Sequence, residues 1–350
     1  MDETTFRILD ALSREIGAPL SIRELTKKIQ YLHGTAHYPN IYERLQTLTR
    51  DGVTLVTKLG KSSITALNFE NYLITDWLAE MELRKKRDFL RDRAELQMPL
   101  AEIEDYCNDT VLTRSLCIVN PEKNMKLNRL ELLFLLHNPS VQDRIGIARN
   151  MQALQAKRNM KIDYLLLNKE EFIALLKSEE RNPLNEMLSN KIAIFSPQRF
   201  WLEIKDALSR GIRLKFSEET NPAKITEQDM AYNLARFGYK EIGLEIKEGE
   251  KICVEYIVVS ILLQNENARH VEAIPVILAK NRPNYGLLIF LSQKYSLSGR
   301  VLGLLEALNN VKPAEEVEET IKILKSTNTR TVKTNLESIR KKMRLYNAAE

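Results

Sequence analysis

Two helices are predicted by residues 21–52, which read SIRELTKKIQYLHGTAHYPNIYERLQTLTRDG. Ser21 followed by Glu24 three positions later forms a capping box, which marks the start of a helix. Apolar residues then recur at helical spacing in both halves of the stretch. They are Ile22, Leu25 and Ile29 in the first half and Ile41, Leu45 and Leu48 in the second. We therefore expect a helix from Ile22 to about Tyr31, a short turn, and a helix from about Tyr38 to Arg50.

The flanking sequence adds one helix before this pair and a β-hairpin after it. Apolar residues recur at helical spacing between Phe6 and Leu12, which predicts a first amphipathic helix. The β-branched residues on both sides of Gly60, within 53–69, are typical of a hairpin. Three helices followed by a hairpin is the element order of a winged helix. We therefore predict a winged-helix domain at residues 1–70.

This region resembles the winged-helix domains of archaeal and bacterial transcription regulators. The matching segments are Leu9–Leu12, Ser21–Leu25, Ile41–Leu45 and Thr49–Gly52. The resemblance implies that double-stranded DNA is the partner and that the second helix of the pair enters the major groove. The expected DNA-binding residues are Ser21, Tyr38, Asn40, Tyr42, Arg44, Thr47, Lys58 and Lys61. The alternative is a protein-interaction scaffold, in which Tyr38 and Tyr42 pack against the wing or a dimer partner.

Residues 71–98 carry an apolar stripe through Leu73, Trp77 and Met81, which predicts one long linking helix. The basic run Arg84–Arg87 lies on this helix. Such a run is usually a solvated helix face. Two other interpretations stay open, a contact with phosphate and the seam of a homodimer.

Residues 99–215 alternate strand-like and helix-like segments, which predicts a central α/β domain. The expected strands are Ser115–Val119, Glu131–Leu136, Lys161–Leu167 and Lys191–Phe195. Residues 110–205 resemble the minimal archaeal nucleotidyltransferases of the polymerase-beta superfamily. The clearest match is the segment Lys161–Leu167, followed by 170–184 and 191–196. The resemblance implies the fold of that family and a site at which three acids hold two divalent metal ions.

The residues at the family's catalytic positions depart from its pattern. By register, the three acids correspond to Arg129, Glu131 and Asp163, and no Gly-Ser turn occurs near 119–122. An arginine supplies no oxygen ligand and repels a cation. We therefore expect a degenerate domain with a structural or ligand-sensing role and no catalytic residue. The alternative is a divergent metal-dependent nucleotidyltransferase of antitoxin type.

Residues 216–350 show repeated helical apolar patterns and few strand signals, so we predict a helical C-terminal domain. A basic amphipathic helix is expected at 334–346. Its role stays open, and a protein partner could bind this domain. Winged-helix regulators commonly pair on palindromic sites, so a homodimer is a further expectation.

The composition limits the class of protein. A chain of 350 residues with a net charge of +5 accommodates two or three domains and permits contact with nucleic acid without requiring it. The three cysteines and four histidines have no metal-ligand spacing, and no phosphate loop is present. We therefore expect a multidomain α+β protein with no metal, no cofactor and no membrane partner. A cytoplasmic location is expected because the N-terminus has no signal-like apolar region.

Overall fold

The computed structural model describes residues 1–16, 18–60, 62–121, 129–214, 219–240, 248–264 and 268–349. These residues form a mixed α/β structure that is mostly helical and contains two small sheets. The strands are β1 (Leu20–Ser21), β2 (Thr54–Leu59), β3 (Ser62–Leu67), β4 (Thr113–Val119), β5 (Arg129–Leu136), β6 (Lys161–Asn168) and β7 (Lys191–Phe195).

The helices of the first two thirds of the chain surround these sheets. They are α1 (Glu3–Ser13), α2 (Ile22–His33), α3 (Tyr38–Arg50), α4 (Ile74–Arg91), α5 (Ala94–Thr110), α6 (Val141–Arg158), α7 (Lys169–Lys177), α8 (Pro183–Ser189) and α9 (Pro197–Ser209). The last third follows a 3-10 turn at Pro222–Lys224. Its helices are α10 (Glu227–Arg236), α11 (Val254–Gln264), α12 (Ala268–Lys280), α13 (Tyr285–Lys294), α14 (Ser298–Val311), α15 (Glu315–Ser326) and α16 (Leu336–Leu345).

The N-terminal unit has three helices and a three-stranded antiparallel sheet in the order β1-β3-β2. The predicted capping box of α2 is confirmed, because Ser21 Oγ accepts from Glu24 N and Glu24 Oε2 accepts from Ser21 N. The hairpin β2–β3 is also confirmed, with Gly60 at φ +60° in its turn. Gly60 tolerates this left-handed conformation because it has no Cβ.

The single helix predicted over 71–98 is wrong, because the chain breaks between α4 and α5 at Asp92 and Arg93. The charged residues 91–93 provide no apolar side chain that would continue the buried stripe. Side chains also bond the last carbonyls of α4: Arg93 Nη1 donates to Phe89 O at 2.6 Å and Gln97 Nε2 donates to Leu90 O at 3.0 Å. Such bonds satisfy a helix end without further turns.

The central sheet has the strand order β6-β5-β4-β7, with β5 and β6 parallel and the other pairs antiparallel. Its strands lie at the positions predicted from the sequence. Helices α4 and α9 pack against β7 and β4, while α7 and α13 contact β6. Because the helices of the last third pack against the same sheet, one continuous apolar core joins all parts of the described chain.

The helical prediction for the last third is confirmed over the described residues, with one isolated bridge between Arg181 and Ile252 as its β-type contact. Residues 241–247 lie outside the described part of the chain. The segment before α16 crosses α14 at Gly299 and Gly303, where Val332 N donates to Gly299 O at 2.9 Å. A Cβ at Gly303 would overlap the carbonyl oxygen of Val332. The crossing is therefore possible because both positions lack side chains.

A buried polar cluster fastens the N-terminal unit to the central sheet. Asp10 of α1 is 2% exposed, and its carboxylate lies 3.1 Å from Lys85 Nζ on α4. It also lies 3.3 Å from both Arg14 and His33. Lys85 Nζ donates in turn to the carbonyl oxygen of Lys191 on β7 at 2.7 Å. This chain of contacts fixes the orientation of α1 relative to the sheet.

In the described residues, no helix combines the length and the apolar character that crossing a membrane requires.

Candidate functional site

Helix α3 exposes the face on which most of the predicted DNA contacts lie. Ile41, Leu45 and Leu48 are buried against α1 and α2. Asn40 is exposed, and Tyr38 and Tyr42 are each 44% exposed. Helix α3 therefore presents an uncovered polar and aromatic surface near its N-terminus, where a recognition helix would reach base edges.

Tyr38 and Tyr42 stack on each other. Their ring centroids are 6.1 Å apart and the ring planes differ by 17°. The two rings occupy neighbouring positions on one face, as expected for an i, i+4 pair. Neither ring is buried under the hairpin. Packing against this chain's own hairpin, which was the alternative, could therefore cover only part of the surface of each ring.

Two predicted contact residues are engaged inside the N-terminal unit. Arg44 Nη2 lies 2.5 Å from Asp2 Oδ2, and its Nε donates to Thr5 Oγ1 at 2.5 Å. Ser21 is occupied by the capping box, whose Glu24 carboxylate lies at the N-terminus of α2. A carboxylate at this position competes with a phosphate for the same backbone N–H groups. Arg44 and Ser21 are therefore poorly placed to contact DNA directly.

The other predicted contacts have mixed surroundings. Thr47 is half-buried, and its hydroxyl donates weakly to Glu43 O at 3.4 Å. Lys58 is exposed near the end of β2, opposite Ser63 of β3, and forms no ion pair with a described residue. Lys61 lies outside the described residues. Of the two lysines predicted at the hairpin, Lys58 is therefore the described one, and it is exposed.

The positions matched to the nucleotidyltransferase acids meet at the parallel pair β5–β6. Glu131 lies directly opposite Asp163 in the strand register, and Arg129 lies opposite Lys161. Arg129 Nε is 2.5 Å from Asp163 Oδ2 and 3.4 Å from Glu131 Oε1. Lys161 Nζ is 3.7 Å from Asp163 Oδ1. The structure therefore brings these residues together, and the arginine bridges the two acids.

A lysine from the C-terminal helices completes this cluster. Lys294, the last residue of α13, places Nζ 2.8 Å from Glu131 Oε2 and 2.6 Å from Glu219 Oε1. The backbone carbonyl of the same residue accepts from Arg129 Nη2 at 2.9 Å and from Lys161 Nζ at 3.1 Å. We call these six residues the charge cluster: Arg129, Glu131, Lys161, Asp163, Glu219 and Lys294. It contains three acids and three bases.

The charge cluster does not fit the two divalent metal ions that the family resemblance implies. Arg129 and Lys294 contact the carboxylates that would be ligands, and each is a fixed positive charge. Burial raises the pKa of Asp163 above its ordinary value, although Arg129 and Lys161 oppose this shift. Among the described residues, no group of three or more His, Cys, Asp or Glu is arranged to hold a metal.

Comparison with protein-family models, curated proteins and solved structures finds no match for this chain.

Sequence reasoning missed three members of this region. Lys294 and Glu219 are far in sequence from β5 and β6, and no pattern in their neighbouring residues indicates that they contact this cluster. Asn120, at the position of the missing Gly-Ser turn, has φ +48° and donates through Nδ2 to Glu131 Oε2 at 3.4 Å. Asparagine adopts the left-handed conformation more readily than other side-chain residues. The residue type at position 120 is therefore compatible with its left-handed backbone.

Proposed function

We propose that this protein binds double-stranded DNA through a winged helix formed by residues 1–70. The observation that carries the proposal is the exposed face of α3, in a unit that also contains the β2–β3 hairpin and that buried contacts of Asp10 attach to the central sheet. Helices α1 to α3 and a sheet in the order β1-β3-β2 have the arrangement expected of a winged helix. The proposed contacts are Tyr38, Asn40, Tyr42 and Thr47 of α3 with Lys58 of the wing.

The chemistry of these residues suits the two kinds of DNA contact. Asn40 can donate to and accept from an adenine edge in the major groove. Lys58 can neutralise a backbone phosphate, and the tyrosine hydroxyls can donate to phosphate oxygens. The proposed set omits Arg44 and Ser21, because both are engaged within the N-terminal unit. Arg44 instead ties α3 to α1 and so supports the orientation of the recognition helix.

The central domain serves in this proposal as a scaffold derived from a nucleotidyltransferase fold. Its support is the charge cluster, in which Arg129 and Lys294 stand at the carboxylates that catalysis would need. The cluster also joins α13 to β5 and β6, because Lys294 contacts Glu131 and its carbonyl accepts from Arg129. The same groups therefore prevent metal binding and hold the C-terminal helices to the sheet.

Replacing Lys58 by alanine should make DNA binding less sensitive to salt. Log affinity falls with log salt by about 0.9 per neutralised phosphate, so the slope should decrease by about one. The measurement is fluorescence anisotropy of a labelled random duplex with the full chain at several salt concentrations. Wild-type binding that is tight at low salt and weak at high salt is the expected result.

Lys322 provides the matched control, because it is an exposed lysine on α15 whose partner is Glu318. Its replacement by alanine should leave the slope unchanged. An unchanged slope for Lys58→Ala would remove the wing from the interface. No binding of the wild-type protein at low salt would contradict the DNA proposal and favour the protein-interaction scaffold.

Magnesium and a nucleoside triphosphate should not stabilise the protein. A ligand that binds the folded state raises stability by RT ln(1 + [L]/Kd), and millimolar ligand would report even a weak site. Because Arg129 and Lys294 neutralise Glu131 and Asp163, we expect the same melting temperature with magnesium and triphosphate as with a chelator. A reproducible rise that requires both additions would contradict the scaffold role and favour a divergent nucleotidyltransferase.

A further inference from the structure

One stripe of helix α4 has two acids in its N-terminal half, two bases in its C-terminal half, one leucine between the acids and the bases and a second leucine between the two bases. Its members are Asp76, Glu80, Leu83, Arg87, Leu90 and Arg91. Successive helical residues are rotated by about 100°, so these six side chains fall within about 100° of the helix circumference. All of them are exposed except Leu90, which is half-buried. We call this surface the α4 stripe.

The α4 stripe borders a groove of about 790 Å³ between α4 and the start of α5. Leu83, Leu90, Arg87 and Gln97 contribute to its walls. Leu83 is 48% exposed and lines the groove together with the half-buried Leu90. Leucines seven residues apart on one exposed stripe are typical of a helix–helix seam.

The charges of the α4 stripe are complementary to those of a second, antiparallel copy. A two-fold axis at the midpoint between Leu83 and Arg84 pairs position i of one copy with position 167 − i of the other. Asp76 then faces Arg91 of the second copy, and Glu80 faces Arg87 of the second copy. Each pair occurs twice because the contact is symmetric. A parallel arrangement would instead place like charges opposite each other, which costs free energy.

The contacts that these residues make within one chain are weak enough to be exchanged. Asp76 accepts an exposed hydrogen bond from Gln198 Nε2. Arg91 forms an ion pair with Asp88 at 3.1 Å, and Glu80 forms one with the amino group of Met1 at 2.6 Å. The acidic partners in both pairs are exposed, at 42% for Asp88 and 53% for Glu80. Exposed pairs of this type contribute about 0.2–1 kcal/mol. Arg87 forms no ion pair with a described residue, so one cation of the stripe has no competing contact.

We infer that a second copy of this chain packs antiparallel along the α4 stripe to form a two-fold symmetric homodimer. Helix α4 has 18 residues and is about 27 Å long, so the two helices can align over several turns. The inference is independent of DNA binding, because the stripe contains none of the proposed DNA contacts.

A charge-swap experiment tests the inference on the full chain by sedimentation equilibrium. Wild type should be dimeric, and Arg87→Glu should weaken dimerisation at least about tenfold, because Glu80 then faces an acid of like charge. The double variant E80R/R87E should restore dimerisation, because each pair is re-formed with its signs exchanged. Leu83→Glu should also give a monomer, since it places a charge in the seam.

Leu345→Glu is the matched control, because Leu345 is 70% exposed and lies on α16. This variant should dimerise like wild type. Far-UV circular dichroism establishes that each variant keeps its helices, as expected for substitutions at exposed positions. A monomeric wild type would overturn the inference, as would a dimer that tolerates Leu83→Glu and Arg87→Glu. Failure of the double variant to recover would overturn the antiparallel register.

Discussion

Replacing Arg129 by methionine is expected to lower the free energy of unfolding by about 3–5 kcal/mol at neutral pH. Glu131 and Asp163 are 2% and 1% exposed, and the variant leaves both without the guanidinium that bridges them. Glu131 keeps Lys294 at 2.8 Å, whereas Asp163 keeps only Lys161, at 3.7 Å. A buried charge that loses its nearest partner keeps its desolvation cost and loses most of the compensating attraction. Urea denaturation at pH 7, followed by circular dichroism, measures the change.

Arg210→Met is the matched control for this substitution. Arg210 pairs with Asp206 on the surface, where its side chain is 53% exposed. Removing that pair should change the free energy of unfolding by less than about 1 kcal/mol. A similarly small effect for Arg129→Met would mean that the charge cluster is not a buried electrostatic unit.

The stability deficit of Arg129→Met should depend on pH with a defined sign. Burial already raises the pKa of Asp163, and removing Arg129 raises this pKa further. When the pKa of a carboxyl group is raised in the folded state, the free energy of unfolding decreases as pH rises and increases again as pH falls. The deficit should therefore shrink from neutral pH toward about pH 5. Adding Asp163→Asn to the variant should recover part of the deficit at neutral pH.

Replacing Asp10 by alanine is also expected to cost about 3–5 kcal/mol, because it leaves Lys85 buried without its nearest carboxylate. Burial opposes ionisation of Asp10, but Lys85, His33 and Arg14 outweigh burial and hold its pKa far below the ordinary value. A carboxylate with a lowered pKa contributes stability above the unfolded pKa of about 4 and loses it below. The difference between wild type and Asp10→Ala should therefore be full at neutral pH and shrink in acid.

A double-mutant cycle separates this pair from general damage to the core. Lys85→Met alone and Asp10→Ala alone should each be strongly destabilising. The double variant should lose less than the sum of the two, because neither charge then remains unpaired. Additive losses would show that the contact at 3.1 Å contributes little, and that the two side chains act through packing with other neighbours.

The sequence predicted those features that depend on neighbouring residues. The capping box of Ser21 and Glu24 located α2, and the 3.6-residue spacing of buried leucines located α3. The strands β4 to β7 were predicted because they are short apolar runs between turns. The parallel pairing of β5 with β6, which brings Glu131 opposite Asp163, was not predicted from the sequence.

The features that sequence reasoning missed depend on contacts between distant residues. Lys294 meets Glu131 across 163 positions, and Asp10 meets Lys85 across 75. Arg44 was predicted to contact DNA because it lies outside the apolar stripe of its helix. In the structure its guanidinium group pairs with Asp2 instead. The sequence shows that a side chain is charged but not which residue it pairs with. Whether it is available to bind another molecule can therefore be judged only in the folded chain.

At the crossing on Gly299 and Gly303, the absence of side chains determines how the C-terminal segment is attached to the rest of the protein. The chain leading to α16 passes so close to α14 that the space of two Cβ atoms is taken by backbone carbonyl oxygens. Any side chain at either position would lift this segment and the basic helix behind it away from the protein. Substitutions along α14 should therefore be tolerated least at Gly299 and Gly303, where any new side chain adds atoms to space that is already filled.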